Sequence, residues 1–294
     1  MQGRGEVTDA DKKEWHILNL GAGVQSTAIY LMVASGYMDD IPLDCAIFAD
    51  TGDEPEAVYS HLKWLQLQDG PEIIVAENKM SLGDNLMQPD EGGTPPRPRF
   101  TSIPAFTAYK PGEPMAITRR HCTHDYKVQA IERTIRRNLL GLKPRQRIPK
   151  DVHVHQYMGF SFDEPGRASR AQSRWRDIPW ASVHFPLFDD CMKRQDCVIW
   201  LETHGNVPHE VPRSACTFCP FHSNLEWRRV KENASDWERA CQIDDALRVK
   251  GNAVNRGLDA ELYVHKSCRP LRDANLEDGQ MSLFGMECEG GCGL

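Results

Sequence analysis

Short apolar runs alternate with helix-compatible stretches along the first two thirds of the chain. The first run, 15–20 (WHILNL), is followed by a glycine-containing turn and then by 28–34 (AIYLMVA), which suits a helix. Four more apolar runs, each typical of a buried strand, lie at 45–49, 73–76, 152–162 and 183–187. Strands that alternate with helices in this way predict an α/β fold with a doubly wound, mostly parallel sheet of five strands.

Two segments between the strands show a helical periodicity of apolar residues. The first stripe, in a helix expected to begin near Pro55, consists of Val58, Leu62 and Leu65. The second lies in the segment 119–150 and consists of Val128, Ile131, Ile135 and Leu139. A further helix is expected over 191–204, ended by Gly205.

Two parts of the sequence depart from this alternation. The segment from about 78 to 118 is rich in Gly and Pro, which predicts a long loop insertion of the kind that forms lids or binding segments. The last third contains CTFCPFH at 216–222 and ends in a glycine-rich tail. We therefore expect an α/β domain over 1–205, which includes the insertion, and a helical, cysteine-rich module over 206–294 that completes the active site.

The composition narrows the classes of protein to consider. The 294 residues carry a net charge of −7, so binding to nucleic acid would need a local basic face. The first fourteen residues are polar, and no apolar run approaches the ~20 residues of a membrane span, so we expect a cytoplasmic protein without membrane contact. Ten cysteines in such a protein indicate metal or redox chemistry rather than a disulfide scaffold.

The turn after the first strand, GAGVQST at 21–27, has the features of an anion site. Its glycines permit close approach of the backbone, and a helix N-terminus carries partial positive charge, so phosphate is the natural ligand. The turn matches neither the P-loop of kinases and GTPases nor the dinucleotide fingerprint, and it is also compatible with a plain strand–turn–helix connection. Its candidate nucleotide-binding residues are Gly21, Gly23, Gln25, Ser26 and Thr27.

Polar residues also follow two other strands. Asp50, Thr51 and Gly52 come directly after the second strand, where Asp50 suits a ribose hydroxyl or Mg²⁺ and equally suits a helix-capping turn. The candidates after the strand at 152–162 are Asp163, Arg167 and Arg170. Arginines at such a strand end suit bidentate contacts to phosphate or sulfate.

The charge balance changes in the segment 119–150, which carries ten basic residues against two acidic ones. Its residues Arg133, Arg136 and Arg137 fall away from the apolar stripe. They form either a solvated helix face or a surface for tRNA or DNA. Further candidates in this segment for contacting nucleotide phosphates are Arg120 and Lys127.

Three cysteines are candidates for a metal centre. Cys216 and Cys219 have the Cys-x-x-Cys spacing that lets two thiolates hold one centre, either zinc or an iron–sulfur cluster, but two ligands are half a site. The best candidate for a third ligand is Cys122, because it lies among cations just before a helix, a setting that favours the thiolate.

Together these motifs resemble the PP-loop (adenine nucleotide α-hydrolase-like) superfamily and, within it, the PAPS (phosphoadenosine phosphosulfate) reductase-like family. The turn at 21–27 resembles the PP-loop, and the Asp-Thr-Gly at 50–52 resembles the end of that family's second strand. Cluster-bearing APS and PAPS reductases also have a cysteine-containing turn before a basic helix, a later Cys-x-x-Cys, and a catalytic cysteine in a Glu-Cys-Gly-Leu-like tail. The matching residues are Cys122, then Cys216 and Cys219, then Cys292.

The resemblance implies a HUP-like fold, an adenine nucleotide (ATP, APS or PAPS) and a [4Fe-4S] cluster. The cluster ligands so implied are Cys122, Cys216 and Cys219. His121 stands where the reductases have a second cysteine, which leaves either a histidine ligand or an open iron, as in the iron–sulfur thiolases of the superfamily. Gln25 stands where ATP-pyrophosphatases usually carry Asp, which is closer to the reductase branch. The tail also has a second cysteine, Cys288.

Three functions are compatible with these residues. In the leading one, Cys292 attacks the sulfur of APS or PAPS, and Cys288 or a thioredoxin-like dithiol releases sulfite. The alternative is ATP-dependent thiolation of a nucleic-acid base or nucleotide, with pyrophosphate release, a sulfur donor, and tRNA or DNA bound by 119–150. The third is a non-catalytic, zinc-bearing nucleic-acid-binding protein. The oligomeric state is not predicted.

Overall fold

The fold is taken from a computed structural model, which describes residues 13–88, 103–249 and 258–277. The strands in these ranges are β1 (Lys13–Leu20), β2 (Cys45–Ala49), β3 (Glu72–Ala76), β4 (Phe106–Ala108), β5 (Ala116–Ile117), β6 (Val152–Met158), β7 (Ala181–His184) and β8 (Glu261–Tyr263).

The α-helices in the same ranges are α1 (Val24–Ala34), α2 (Glu56–Leu65), α3 (Leu82–Leu86), α4 (Gln129–Thr134), α5 (Pro165–Trp175), α6 (Pro186–Asp189), α7 (Arg194–Thr203), α8 (Asn224–Glu232) and α9 (Ala234–Leu247). Helix α4 is extended on both sides by π-helical turns, Thr123–Val128 and Ile135–Leu139. No helix in the described ranges is long and apolar enough to cross a membrane.

The central sheet has five strands, all parallel, in the order β3-β2-β1-β6-β7. This confirms the predicted α/β fold with a five-stranded parallel sheet. The strands run outward from β1 to β3 on one side and from β6 to β7 on the other, so the order reverses between β1 and β6. In sheets of this kind, ligands bind beyond the carboxyl ends of the strands at the reversal.

Helices cover both faces of the sheet because its strands are apolar on both faces. On one face, Leu18 of β1 packs with residues of α1, α2 and α7. On the other face, Ile17 of β1 packs with residues of α4 and α5. The apolar stripe predicted for α2 lies in the first core, and Ile131 and Ile135 of the second predicted stripe lie in the second core.

Three predictions about these elements were wrong. The strand predicted over 152–162 ends at Met158, because the chain turns at Gly159 against the first turn of α1. Strand β7 ends at His184 and does not reach 187, because Pro186 begins helix α6. The insertion at 78–118 is not one continuous loop, since α3, β4 and β5 lie within it. Strand β4 pairs antiparallel with both β5 and β8, so contact with the C-terminal third orders this part of the insertion.

A third buried core joins the insertion to the C-terminal third of the chain. It includes Leu82 and Leu86 of α3, together with Phe218, Trp227 and apolar residues of α9 and β8. The side chains of Phe218 and Trp227 are completely buried. The segment that carries the Cys-x-x-Cys motif is therefore held against the end of the sheet by apolar packing.

Candidate functional site

The turn between β1 and α1 lies at the reversal of strand order. Ala22 has a φ of 55°, in the left-handed region, and Gly23 precedes α1 with an extended backbone. No side chain caps α1, and its first turn contains no acidic residue. The partial positive charge of the first N–H groups of α1 is therefore not offset by a side chain of the helix itself.

Ser26 shapes this turn through its hydroxyl group. Ser26 Oγ accepts a hydrogen bond from Gly21 N–H at 3.2 Å and donates to the carbonyl oxygen of Gly23 at 3.3 Å. Thr27 points elsewhere, because its hydroxyl lies 2.9 Å from Nε2 of the buried His61. Of these two predicted nucleotide-binding side chains, Ser26 lies in the turn and Thr27 lies in the core beneath it.

The turn after β6 lies directly against the first turn of α1. A Cβ on Gly159 would lie 2.9 Å from Ser26 N, a distance that Cβ atoms in proteins essentially never show, so glycine is required here. Gln25 Nε2 donates to Glu164 Oε2 at 3.0 Å, and Ser161 Oγ donates to the same oxygen at 3.1 Å. Polar side chains therefore join the two strand ends that flank the reversal.

The charged residues predicted after β6 have different surroundings. Arg167 forms an ion pair with the buried Glu164, and its guanidinium lies 4.6 Å from the ring centroid of Phe160. Arg170, one turn further along α5, is exposed. Asp163 accepts a hydrogen bond at 3.1 Å from the backbone N–H of the first residue of α7. Arg170 is thus the more accessible of the two candidate phosphate-binding arginines.

Asp50 turns the chain after β2. Its Oδ1 accepts hydrogen bonds from Gly52 N–H at 2.7 Å and from the hydroxyl of Tyr59 at 2.8 Å. Burial, with Asp50 nearby, raises the pKa of Tyr59, so the phenol remains a donor. Gly52 has a φ of 76°, and a Cβ there would lie 2.7 Å from Ser81 Cβ, so this position also requires glycine. These contacts give Asp50 a turn-forming role.

A cavity with about 440 Å³ of empty volume lies between the end of β2, the first π-helical turn and the segment 215–220. The structure brings three of the predicted metal-binding residues to this cavity: Cys122, Cys216 and Cys219. Other predicted site residues that line it are Thr51, Arg120 and Lys127. Its remaining lining residues are Leu82, Ile103, Pro104, Thr123, Ala215, Phe218 and Pro220.

A buried ion pair lies at the wall of the cavity. Lys127 Nζ lies 3.3 Å from Glu54 Oε1, and both side chains are almost completely buried. Thr51 Oγ1 donates to Glu54 Oε1 at 3.1 Å and lies 3.3 Å from Cys216 Sγ. Burial, with the Glu54 carboxylate nearby, raises the pKa of Cys216 well above its ordinary value. Cys216 is therefore a neutral thiol here, and a metal would have to displace its proton.

Hydrogen bonds fix the loop that carries Cys216 and Cys219. The carbonyl oxygen of Cys216 accepts from Cys219 N–H at 3.0 Å and from His222 Nε2 at 2.9 Å. Burial lowers the pKa of His222 to about 4, so its neutral ring donates through Nε2. Trp227 packs edge-on against this ring, with the centroids 4.8 Å apart. The loop is thus held by its own backbone and by a neutral histidine.

The spacing of the three thiols indicates the kind of metal centre that they suit. Zinc–sulfur bonds of about 2.3 Å place tetrahedral ligand sulfurs about 3.8 Å apart. Within the described residues, the only His, Cys, Asp or Glu triplet whose ligand atoms all lie within 4.8 Å of one another is Glu14, His16 and His155. The sulfur atoms of the three cysteines are therefore not all within 4.8 Å of one another, which is wider than the spacing around a single zinc ion.

The segment before Cys216 connects the cavity with the turn before α1. A Cβ on Gly21 would lie 3.1 Å from Ser214 Oγ, and a Cβ on Gly23 would lie 3.3 Å from Ser214 Cβ, so the chain at Ser214 covers this turn. Ser214 Oγ is buried and has no hydrogen-bond partner among the described residues. One short segment therefore contacts the anion-type turn and, two residues later, supplies a thiol to the cavity.

His121 is half-buried and directly precedes Cys122, but only its neighbours Arg120 and Cys122 line the cavity. Its role as a metal ligand stays a prediction. The predicted catalytic residues Cys288 and Cys292 lie outside the described residues.

Sequence reasoning missed two carboxylates at the site, Glu54 and Glu164. Both directly precede a proline at the start of a helix, Pro55 before α2 and Pro165 in α5, so a Glu-Pro step after a strand is the signal that could have found them. Ser214 has no comparable signal, because its position over the turn depends on how the C-terminal third packs against the sheet.

The site thus combines an anion-type turn at the strand reversal with a thiol-lined cavity at the end of β2. Comparisons of the chain with protein-family models, with curated proteins and with solved structures gave no match. Its function is therefore inferred from the residues and geometry of this site.

Proposed function

We propose that the protein is a PP-loop enzyme of the PAPS reductase-like type, which binds an adenine nucleotide at the β1–α1 turn and carries out sulfur chemistry beside an iron–sulfur cluster. The observation that carries this proposal is the cavity lined by Cys122, Cys216 and Cys219. These thiols come from two distant segments of the chain and line one cavity at the edge of the third core, and this convergence favours a shared ligand.

Several features of the turn support nucleotide binding. The N–H groups at the start of α1 suit phosphate oxygens, and Gly21 and Gly23 let the backbone approach them closely. The buried hydroxyl of Ser214 lies against the same turn and has no partner within the described residues, so a phosphate oxygen could accept its proton. Arg170 is exposed on α5 and suits the distal phosphate or sulfate.

The cavity suits a [4Fe-4S] cluster better than it suits zinc. The three thiols are not all within 4.8 Å of one another, which is wider than the spacing of the ligands of one zinc ion. Arg120 lines the same cavity, where its positive charge would offset part of the negative charge of thiolates and of nucleotide phosphates, whereas the charge of Lys127 is balanced by Glu54. When bound, the cluster would supply a charged, sulfur-binding centre beside the nucleotide.

Sulfonucleotide reduction is the leading reaction. The Cys292 thiolate would attack the sulfur atom of APS or PAPS, forming an S–S bond as the S–O bond to the nucleotide phosphate breaks. The nucleotide leaves, and a thiosulfonate remains on the enzyme. A second thiol, from Cys288 or a thioredoxin-like dithiol, would then attack Cys292 Sγ, releasing sulfite and forming a disulfide. The two thiols supply the two electrons of the reduction.

Iron content after anaerobic purification tests the cavity. We expect iron and acid-labile sulfide in the wild-type protein, and we expect Cys216→Ala to lose most of both, because it removes one of three thiolate ligands. The matched control is Cys241→Ala, a buried cysteine of α9 that does not line the cavity, which should keep its iron. Stoichiometric zinc without iron or sulfide would contradict the proposal and favour a structural zinc site.

Thiolation is a second candidate, and the ligand count favours it. Among the described residues that line the cavity, no histidine, carboxylate or fourth cysteine accompanies Cys122, Cys216 and Cys219, so these residues would supply three of the four ligands of a cluster held there. In the superfamily that the sequence resembles, a fourth position left open serves sulfur insertion. In this reaction ATP would transfer AMP to the acceptor's carbonyl oxygen with loss of pyrophosphate, and sulfur from a donor would then displace AMP, which leaves with that oxygen.

Product analysis separates the two reactions. If sulfonucleotide reduction is correct, the protein releases sulfite from APS or PAPS with a dithiol present, and Cys292→Ser abolishes this release without loss of iron or nucleotide binding. Cys191→Ser, which changes an exposed cysteine far along the chain from the tail, is the control and should leave the rate unchanged. Pyrophosphate from ATP, formed only when tRNA or DNA is added, would instead establish thiolation. If the protein forms neither sulfite nor pyrophosphate, both reactions are excluded.

A further inference from the structure

We propose that Glu14, His16 and His155 form a second metal site, which binds one divalent transition-metal ion of the zinc class. Their ligand atoms all lie within 4.8 Å of one another. The residues lie in the amino-terminal part of β1 and β6, whereas the cysteine cavity lies beyond the carboxyl end of β2. This site is therefore separate from the proposed nucleotide and sulfur chemistry and does not depend on it.

The sheet register brings the three side chains together. His16 of β1 and His155 of β6 are paired across the two parallel strands, and their rings stack with centroids 4.5 Å apart and planes 6° apart. Glu14 is two residues before His16, so its side chain lies on the same face of β1. Glu14 Oε1 lies 3.8 Å from His155 Nε2. The two rings are parallel, so they would have to rotate out of this stack for the free nitrogen of each ring and the Glu14 carboxylate to reach one ion.

Each ring is already oriented by a contact through its other nitrogen. His16 Nδ1 lies 3.0 Å from the hydroxyl of Tyr157. His155 Nδ1 lies 3.0 Å from His184 Nε2 and 3.2 Å from Ser182 Oγ. Metal-binding histidines are usually held in this way, by a polar partner on the nitrogen that does not bind the metal. The register thus supplies both the ligands and the groups that orient them.

The nitrogen of His155 that faces Glu14 makes no hydrogen bond within the described residues. This atom, His155 Nε2, is buried. Burying such a group without a partner costs free energy, which a bound cation would recover.

The donor set decides the class of metal. Two imidazole nitrogens and one carboxylate oxygen suit zinc and other late first-row ions, whereas Mg²⁺ and Ca²⁺ prefer oxygen donors alone. Three protein ligands leave a coordination position for water. A metal here would also link β1 to β6, the two strands at which the strand order reverses.

Zinc stoichiometry tests this site in the full-length chain. Any zinc that binds the cysteines contributes equally to wild type and variants, so it cancels in the difference. We expect wild type to bind one more zinc ion per chain than His155→Ala, measured by equilibrium dialysis. The matched control is His204→Ala, which removes an exposed histidine at the end of α7 and should bind as much zinc as wild type.

A second variant keeps the test valid if His155→Ala folds poorly. Glu14 is exposed at the start of β1, so Glu14→Gln should keep the fold while weakening zinc binding at this site by about tenfold or more. Co²⁺ serves as a spectroscopic probe of the same site. The cobalt ion whose binding is weakened by Glu14→Gln should show no absorption bands of cobalt–thiolate bonds. Equal stoichiometry in wild type and folded His155→Ala, or unchanged affinity in Glu14→Gln, would overturn the proposal.

Discussion

Gly159 lies where two backbone segments meet without room for a side chain. Its missing Cβ lets the turn after β6 contact the backbone of Gln25 and Ser26, at the first turn of α1. The same first turn supplies the N–H groups assigned to phosphate. A single glycine therefore sets the distance between the two loops that flank the strand reversal, and a displaced Ser26 would also lose its hydrogen bonds to Gly21 and Gly23.

Replacing this glycine should impair both stability and nucleotide binding. The added methyl of Gly159→Ala would overlap Ser26 N, so we expect the free energy of unfolding to fall by about 1–3 kcal/mol. The displaced N–H groups should weaken nucleotide affinity by about tenfold or more, since 1.4 kcal/mol corresponds to a factor of ten. Urea unfolding and calorimetry with ATP, APS and PAPS measure the two effects.

Gly166→Ala is the matched control for this change. Gly166 lies in the first turn of α5, and a Cβ there would meet only the flexible end of Arg170, at 3.5 Å. We expect unchanged affinity and equal or slightly higher stability, because alanine favours helices. A folded Gly159→Ala protein with wild-type affinity would show that the turn does not hold the phosphate.

The helical segment 123–139 shows what periodicity can and cannot predict. Its apolar stripe is correctly predicted, because Ile131 and Ile135 recur at helical spacing and are buried. The π-helical turns on either side of α4 have no such signal. Two arginines of the basic face form hydrogen bonds within the protein. Arg133 donates to the carbonyl oxygen of Glu77 and to the side chain of Asn78, and Arg136 donates to the carbonyl oxygen of Gln146.

Strand prediction succeeded for the central sheet and failed where the partner of a strand is distant in sequence. Strand β2 is a continuous, buried apolar run, and the other four central strands contain enough apolar residues to be recognised locally. Strands β4 and β5 are only three and two residues long, and β4 also pairs with β8, more than 150 residues later. Pairing over such a separation leaves no local pattern, so the insertion reads as a loop.

At the scale of the whole molecule, the motifs identified the cysteines but not the groups that surround them. Cys-x-x-Cys spacing and a cysteine before a basic helix were sufficient to predict that Cys122, Cys216 and Cys219 lie close together, and all three line one cavity. Their binding of a metal stays a prediction. The Glu54–Lys127 ion pair and the position of Ser214 depend on how the C-terminal third packs against the end of β2. The three residues that complete the proposed second metal site depend on the register of β1 with β6, which the sequence does not show.

One arginine holds the C-terminal third against the sheet. Arg239 of α9 donates from Nε to Asp53 Oδ1 at 2.7 Å and from Nη2 to Asp84 Oδ1 at 2.7 Å. Asp53 is buried, and it also accepts from Gly83 N–H at 2.6 Å, while its own carbonyl accepts from Thr217 N–H at 2.9 Å. This contact therefore ties the end of β2, helix α3 and the Cys-x-x-Cys loop to α9.

Removing this arginine should destabilise the protein in a pH-dependent way. Arg239→Ala leaves Asp53 buried without its cation, so we expect the free energy of unfolding at pH 7 to fall by about 2–3 kcal/mol, less than for a fully buried pair because Arg239 is partly exposed.

Burial already raises the pKa of Asp53 above its unfolded value, so its ionisation lowers stability as pH rises through the folded pKa. Without Arg239 this pKa rises further. The difference between variant and wild type should therefore shrink as pH falls and Asp53 becomes protonated. The control is Arg272→Ala, which removes a solvent-exposed pair with Glu238 of α9 and should destabilise the protein much less than Arg239→Ala. Urea unfolding at pH 7 and pH 4.5 measures both variants, and a loss for Arg239→Ala that is the same at the two pH values would show that its pairing with Asp53 is not what joins the two parts.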